Sequence, residues 1–500
     1  MNEGGVFTGI DWTVVVIFML ATTWLGHLLR GKGTGLEGFF VGGRDVPWWA
    51  VSISLVATQT SALTFIAVPA AIYREGGDFT YLQMIIGFIL GNILMAALLM
   101  KPYYQMKVAS PYDYLQNRFG QPTAQTSRLF FLVAVGLGQS VRLLSTALIL
   151  SVVTGIDMVW AVALITVFAV VWTWMGGITT VIWTDVIQFL VLIGGALLVF
   201  GHAVGAVPGG IGQIMEIADE KAKLRLIDIS TDPKQTYTLW VALFGAAFFQ
   251  LAQNSVDQVS TQRLLCCRSL RDARKALVWA GAGTLTTVIL AFATLGVIAY
   301  YHLTPPSAAD LALLEERPDR VFPLFVMREL PVGVSGLIIA AFFAAGITTL
   351  DSALSALSHT FVKGVYEPLF PNSPEKRVLR VARISVVVIA LILGGTALML
   401  DQLDYPGLLE LGFILPGYIL PPVLGFAILA WIGRGSFPVL LAGAVVSMVV
   451  IRILAANEVA FFWWYPVGAA IVILAGLPFR RRGGEPDGTG AKTDLKNQYE

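Results

Sequence analysis

Charge is scarce in this 500-residue chain: Asp, Glu, Lys and Arg make up 13% of it, against roughly 25% in water-soluble domains. The 33 basic and 32 acidic residues leave a net charge of +1, which excludes the basic face of a nucleic-acid-binding protein. The two cysteines, adjacent at Cys266 and Cys267, offer neither a disulfide framework nor a metal-ligand spacing. There are four histidines, and HExxH, GxSxG and GxxxxGK[ST] do not occur, so the chain is not expected to be an enzyme. The start, MNEGGVFTGIDW, lacks the basic residues of a signal peptide, so the first apolar segment is expected to be retained.

Long apolar runs take the place of charge. Hydrophobic residues reach 56% and the mean hydropathy is +0.75. Runs of about 20 apolar residues, the length that crosses a bilayer, number thirteen, near 10–30, 46–73, 81–101, 128–152, 158–175, 178–204, 237–257, 275–301, 332–362, 380–400, 405–431, 435–455 and 459–478. An odd number puts the termini on opposite sides. With the N-terminus outside, inward loops and tail hold 23 Lys and Arg and outward loops 9, which predicts N-out/C-in. The five bases of 263–275 belong to that inward count. The expected organisation is a single transmembrane domain, 1–479, and a disordered cytoplasmic tail, 480–500.

Ionisable groups at membrane depth are costly enough to be functional candidates. Arg142, Asp185 and Asp351 stand inside predicted segments, with Asp257 nearer an end. Residues 46–73 would form a helix of roughly 42 Å, longer than the hydrocarbon core of about 30 Å. The segment must tilt strongly or break, and the break is expected near 57–60, where Thr58, Gln59, Thr60, Ser61 and Thr64 cluster. In AAFFAAGITTLDSALSALS (340–358), Thr348, Ser352, Ser355 and His359 nearly coincide at about 100° per residue, flanked by Ala345, Thr349 and Asp351. Neutral oxygens plus one carboxylate suit a hard monovalent cation such as sodium. A Ser/Thr packing seam is the competing reading. Gln250, Gln253 and Asn254 make a second polar cluster, five segments after the first, as an inverted-repeat transporter would have.

Four stretches, GFFVGGRDVPWWAVSISLVATQTSALTFIAVP (38–69), GGITTVIWTDVIQFLVLIGG (176–195), DQVSTQRLLCCRSLRDARKAL (257–277) and AAGITTLDSALSALS (344–358), together resemble the sodium/solute symporter family of sodium–sugar, sodium–proline and sialic acid transporters. The resemblance implies an all-α polytopic membrane protein with a LeuT-like (leucine-transporter-like) inverted repeat of 5+5 helices. Its parts would be a leading helix 10–30, core repeats 46–204 and 237–431, and trailing helices 435–478. It also implies a principal sodium site from Ala57, Thr60, Ala345, Thr348 and Thr349, and a second from Asp185, Ser352 and Asp351. Substrate positions would be Gln59, Ser61, Thr64, Gln83, Arg142, Gln250, Gln253 and Asn254, close to GFILPGY (412–418).

The function implied is sodium-coupled import of a small organic solute across the plasma membrane, or the inner membrane of a bacterium. A guanidinium fork at Arg142 suits a carboxylate, although an Arg142–Asp185 ion pair is the structural alternative. The functional alternatives are a sodium–sugar symporter and a proton-coupled carrier using Asp185 or Asp351. A receptor on the same fold would need a signalling domain that about twenty tail residues do not supply. The expected partners are sodium ions, the solute and the lipid bilayer, with no nucleic acid and no obligate protein partner.

Overall fold

The computed structural model of the chain describes residues 7–28, 44–175, 178–403 and 407–479, and the predicted 480–500 tail lies outside them. The described residues form helices and connections, with one isolated β-bridge between Val46 and Cys267. In chain order the principal helices are α1 (Gly9–Leu28), α2 (Trp48–Gln59), α3 (Ala62–Tyr73), α4 (Met84–Leu98), α5 (Gln121–Thr154), α6 (Met158–Met175) and α7 (Ile178–Ala206). There follow α8 (Ala247–Ser255), α9 (Gln258–Leu265), α10 (Leu270–Gly283), α11 (Leu285–Leu303), α12 (Val334–Phe361) and α13 (Glu375–Asp401). The last are α14 (Leu408–Gly417), α15 (Leu420–Ile432), α16 (Phe437–Ala456) and α17 (Trp464–Gly476).

Among the described residues 7 helices are long and apolar enough to span a membrane, or up to 9 when α2–α3 and α14–α15 each count as one bent span. Their outward faces are greasy. On α13, Leu391 and Ile392 are 65% and 60% exposed, a distribution that suits lipid rather than water. The interior, in contrast, contains buried Ser54, Asp185, Arg263, Thr348 and Ser352. Helix α12 is the axis of the bundle, with 94% of its most apolar window buried against α1, α5, α6, α7 and α13.

Local chemistry sets the helix ends. Asp11 of α1 accepts the backbone N–H groups of Gly333 and Gly336 and the Ser335 hydroxyl, at 2.7, 3.0 and 2.9 Å. A carboxylate from another helix therefore caps the start of α12, where free N–H groups and the helix dipole favour negative charge. Asp257 starts α9 by accepting Val259 N–H at 2.7 Å. The break predicted at 57–60 falls at Thr60 and Ser61, and α2 and α3 meet there at 53°. A second interruption, at Val256–Asp257, separates α8 from α9.

Helices α4 and α8 approach closely because position 91 carries no side chain. A Cβ on Gly91 would lie 2.5 Å from Ala247 O, so the next residue, Asn92, reaches across to α8. At one end of the bundle Arg74, just after α3, pairs with Glu410 in the first turn of α14 at 2.8 Å, and the Tyr237 hydroxyl donates to the same carboxylate at 3.2 Å. Asp319, in a turn beside them, accepts the Leu408 N–H. Burial, and then the Glu410 carboxylate, push the Asp319 carboxyl up to about 7.

Asp319 has an unfolded value near 4, so its folded form holds the proton more tightly. The stability this contributes is present at low pH and is lost as pH rises through about 7. Between pH 6 and pH 8 the native chain should lose about 1 kcal/mol, read as a falling thermal midpoint. Asp319→Asn should flatten that slope. An equal slope in the variant would assign it to another group.

Candidate functional site

Two polar assemblies meet at the α2–α3 break. The first lies between α2, α7, α9 and α12. The Ser54 hydroxyl donates to Asp185 Oδ2 at 2.6 Å, and the Arg263 guanidinium donates to Ser54 Oγ at 2.9 Å, Asp185 Oδ2 at 3.1 Å and Ser352 Oγ at 2.9 Å. Arg263 is 1% exposed. The inward-loop count of basic residues is corrected accordingly: Arg263 is an interior cation. The structural alternative for Asp185 is corrected too, since its ion-pair partner is Arg263 and not Arg142. Sequence reasoning missed Arg263 because Gln258, Thr261 and Gln262 make its surroundings read as a polar loop. The helix α9 turns all of them inward.

One turn along α12 from Ser352, the Thr348 hydroxyl donates to Gln188 Oε1 at 2.8 Å. The Thr349 hydroxyl donates to Ala345 O at 2.7 Å. Both hydroxyl protons are thus committed, and the oxygen lone pairs are left for a cation. Across the break the carbonyls of Ala57 and Thr60 take no backbone hydrogen bond among the described residues. Neutral oxygens of this kind suit sodium, and no cluster of three His, Cys, Asp or Glu ligands occurs among the described residues. Gln188, one turn after Asp185 on α7, was a further omission. Its i+3 spacing within TDVIQ is the signal that would have found it.

Asp351 turns the other way. With Thr173 of α6, Gln262, Ser352 and Ser355 it lines a water-sized space of about 10 Å³. The structure therefore brings Asp185 and Ser352 together, as expected, but sets Arg263 between them.

The second assembly surrounds a central cavity of about 110 Å³. A water needs roughly 10–15 Å³ on this measure, so a solute of under about ten non-hydrogen atoms fits. Of the positions expected to meet a substrate, Gln59, Thr64, Arg142, Gln250 and Gln253 line the cavity. Three expected positions do not. Gln83 is corrected to a brace for the connections: its amide donates to Tyr237 O at 3.1 Å and its oxygen accepts Asp228 N–H at 3.2 Å. Ser61 is buried at the start of α3. Asn254 stands one layer back, where its amide donates to Asn92 Oδ1 at 2.6 Å and accepts from Gln59 Nε2 at 3.2 Å.

Gln250 completes this amide ring, donating to Asn92 Oδ1 at 2.8 Å and to Gln59 Oε1 at 3.1 Å. Asn92 was missed because a single amide in an apolar helix resembles ordinary helix–helix glue. Arg142 donates from Nη1 to Thr58 O at 3.0 Å, at the break itself. No carboxylate lies within ion-pair distance of Arg142 among the described residues. Gln139, one turn earlier on α5, also lines the cavity, and its buried Oε1 has no hydrogen-bond partner there.

A bent all-helical bundle with hydroxyls, free carbonyls and a guanidinium around a mid-bundle cavity is the architecture of a solute carrier. The Sodium:solute symporter family model matches residues 39–432, and the chain belongs to that family. It is similar to the human sodium/iodide cotransporter, 31% identical over 88% of this chain and 69% of the relative. It is 29% identical to the sodium/sialic acid symporter SiaT of Proteus mirabilis (strain HI4320), over 94% of both chains. The bovine (Bos taurus) sodium-coupled monocarboxylate transporter 2 is 27% identical over 87% of this chain and 71% of its own. Among solved structures, a substrate-bound, outward-open Na+-coupled sialic acid symporter superposes with a TM-score of 0.81 at 28% identity, over 94% of this chain and 97% of that one. The chain is a sodium-coupled solute symporter, a transporter and not an enzyme.

Removing one member of a buried ion pair leaves an uncompensated charge, at a cost of about 3–5 kcal/mol. Arg263→Met should therefore lower the thermal midpoint sharply. Arg263→Met combined with Asp185→Asn should recover much of the loss. Two losses that simply add would show that the residues act independently.

Proposed function

We propose that the chain imports a small carboxylate-bearing solute with sodium, by alternating access, across the plasma membrane (the inner membrane if the source is a bacterium). The observation that carries this reading is Arg142, whose guanidinium lines a small amide-walled cavity without an ion-paired acid. The relatives support it, since iodide, sialic acid and monocarboxylates are all anionic cargoes. A guanidinium fork matches a carboxylate better than a neutral sugar. In this scheme thirteen helices or broken helices cross the membrane, N-out/C-in, as two inverted five-helix repeats. The interruptions at Thr60–Ser61 and Val256–Asp257 open the two repeats, and no obligate protein partner is required. The Arg74–Glu410 pair closes the outward end, and Asp257, Thr284 and Thr287 line the inward end of the cavity.

The first sodium binds Ala57 O, Thr60 O, Ala345 O and the hydroxyls of Thr348 and Thr349. Coupling follows from Arg142 Nη1 holding Thr58 O. A carboxylate that draws the guanidinium toward the cavity shifts the same broken segment that presents the Ala57 and Thr60 carbonyls. A second sodium binds beside Ser352 and Asp351, with Asp185 released from Arg263 to face it. The energetics favour two ions. Charge crossing 100 mV gains about 2.3 kcal/mol, and a tenfold sodium gradient adds about 1.4 kcal/mol per ion. An anion entering with one sodium moves no net charge, whereas two sodium ions bring the total to roughly 5 kcal/mol, or several thousandfold accumulation.

Three measurements test the scheme. Thr348→Ala with Thr349→Ala should weaken apparent sodium affinity at least about tenfold in uptake assays, and unchanged sodium dependence rejects the first site. Arg142→Lys should strongly reduce uptake of a carboxylate solute, while Arg142→Gln should erase any preference for the acid over its amide. If the native chain carries acid and amide equally, the anion reading fails. Coupled fluxes should give two sodium ions per solute, falling to one in Asp185→Asn. A native ratio of one, or a ratio of two that survives the substitution, defeats the second site.

A further inference from the structure

Away from the central cavity, a groove of about 1020 Å³ runs between the connection after α4 and the outer face of α10. Lys107, Arg268, Arg271, Arg274 and Lys275 line it. Two acids lie near these five bases. Asp45 is bound to Arg268 at 2.7 Å, and Asp272 sits in the first turn of α10, where its N–H donates to Ser269 Oγ. Among the described residues Arg271, Arg274 and Lys275 have no carboxylate within ion-pair distance. Arg274 is fixed in place through Nε, which donates to Ala96 O at 2.8 Å.

The order of residues along α10 decides what such a groove would take. Arg271, Lys275 and Trp279 follow one another at i, i+4, i+8 and so share a face. The bases stand at the helix start, and Val278 and Trp279, 52% and 59% exposed, continue the same wall into the apolar belt. Trp48 packs against Trp279 with ring centroids 6.2 Å apart, and Lys275 Nζ lies 5.9 Å from the Trp48 ring. Tryptophans with a lysine beside them mark headgroup level in a membrane protein. A soluble anion would use the bases and ignore the apolar wall. An acyl chain without a charged head would do the reverse.

We propose that this groove binds an anionic phospholipid, its phosphate among Arg271, Arg274 and Lys275 and its first acyl carbons along Val278 and Trp279. The site requires only that the chain crosses a bilayer, and is independent of which solute it carries. In the N-out/C-in arrangement it faces the cytoplasmic leaflet.

The purified chain in phosphatidylcholine nanodiscs provides the test. Brominated-acyl phosphatidylglycerol or brominated-acyl phosphatidylcholine is titrated in, and the Trp279 signal is taken as the difference from Trp279→Phe. Phosphatidylglycerol should quench Trp279 at a several-fold lower mole fraction than phosphatidylcholine. Arg271→Gln and Lys275→Gln, both at exposed positions, should each weaken that preference by about fivefold, with sodium-dependent uptake retained. Added inorganic phosphate should leave it unchanged. Equal quenching by the two lipids would reduce the groove to ordinary annular contact. A preference erased by phosphate would make it a soluble-anion site, and one unaffected in both variants would place the charge recognition elsewhere. Each of these results overturns the proposal.

Discussion

A single buried ion pair, Arg263 with Asp185, fixes the relative positions of four helices. Through Ser54 it holds α2, through Ser352 it holds α12, and its own two members lie on α9 and α7. Charge at this depth survives only when its partners are placed in advance. The guanidinium donates to one carboxylate, two hydroxyls and the Val259 carbonyl, the last at 2.9 Å. Hydrophobic packing between lipid-facing helices could not set this register, because lipid tails are as apolar as leucine.

The interrupted helices become usable against that fixed frame. Interruption of α2–α3 frees carbonyls that a continuous helix would consume, among them those of Ala57 and Thr60, while on α12 the hydroxyl protons of Thr348 and Thr349 are committed to Gln188 and Ala345. Between those two carbonyls in sequence, Thr58 O is held by Arg142 from the cavity side. The free carbonyls of the break and the cavity-lining guanidinium are thereby attached to the same few residues. The amide ring of Gln59, Asn92, Gln250 and Asn254 ties the end of α2 to α4 and α8.

The polar interior and apolar exterior also explain why a basic groove on the flank of α10 stands apart from the transport path. Inside the bundle the charges of Arg263 and Asp185 balance each other. The bases of α10 face outward at the end of a greasy stripe, where the bilayer itself offers the complementary charge.

Much of the architecture was legible in the chain. Apolar length, the excessive span of 46–73 and the hydroxyl face of 345–359 are local properties, and each follows from a helical period of about 3.6 residues or a bilayer of about 30 Å. The grouping of Gln59, Gln250 and Arg142 was implied only by the resemblance to the symporter family, whereas the break and the buried polar face of α12 were readable in advance. Pairings across the bundle were not. Arg263 and Asp185 are 78 residues apart, and Arg263 and Ser54 209 apart. Their meeting depends on α9 turning a polar-looking stretch inward, which no local period encodes. Gln83, one residue before α4, points to the connections, while Asn92 on α4 reaches the amide ring only because Gly91 lets α8 approach. The sequence by itself determined which segments are apolar and long enough to cross a membrane, and it marked the break near 57–60. The tertiary structure alone decided which buried charge meets which partner, because that choice depends on interhelical distances of a few ångströms.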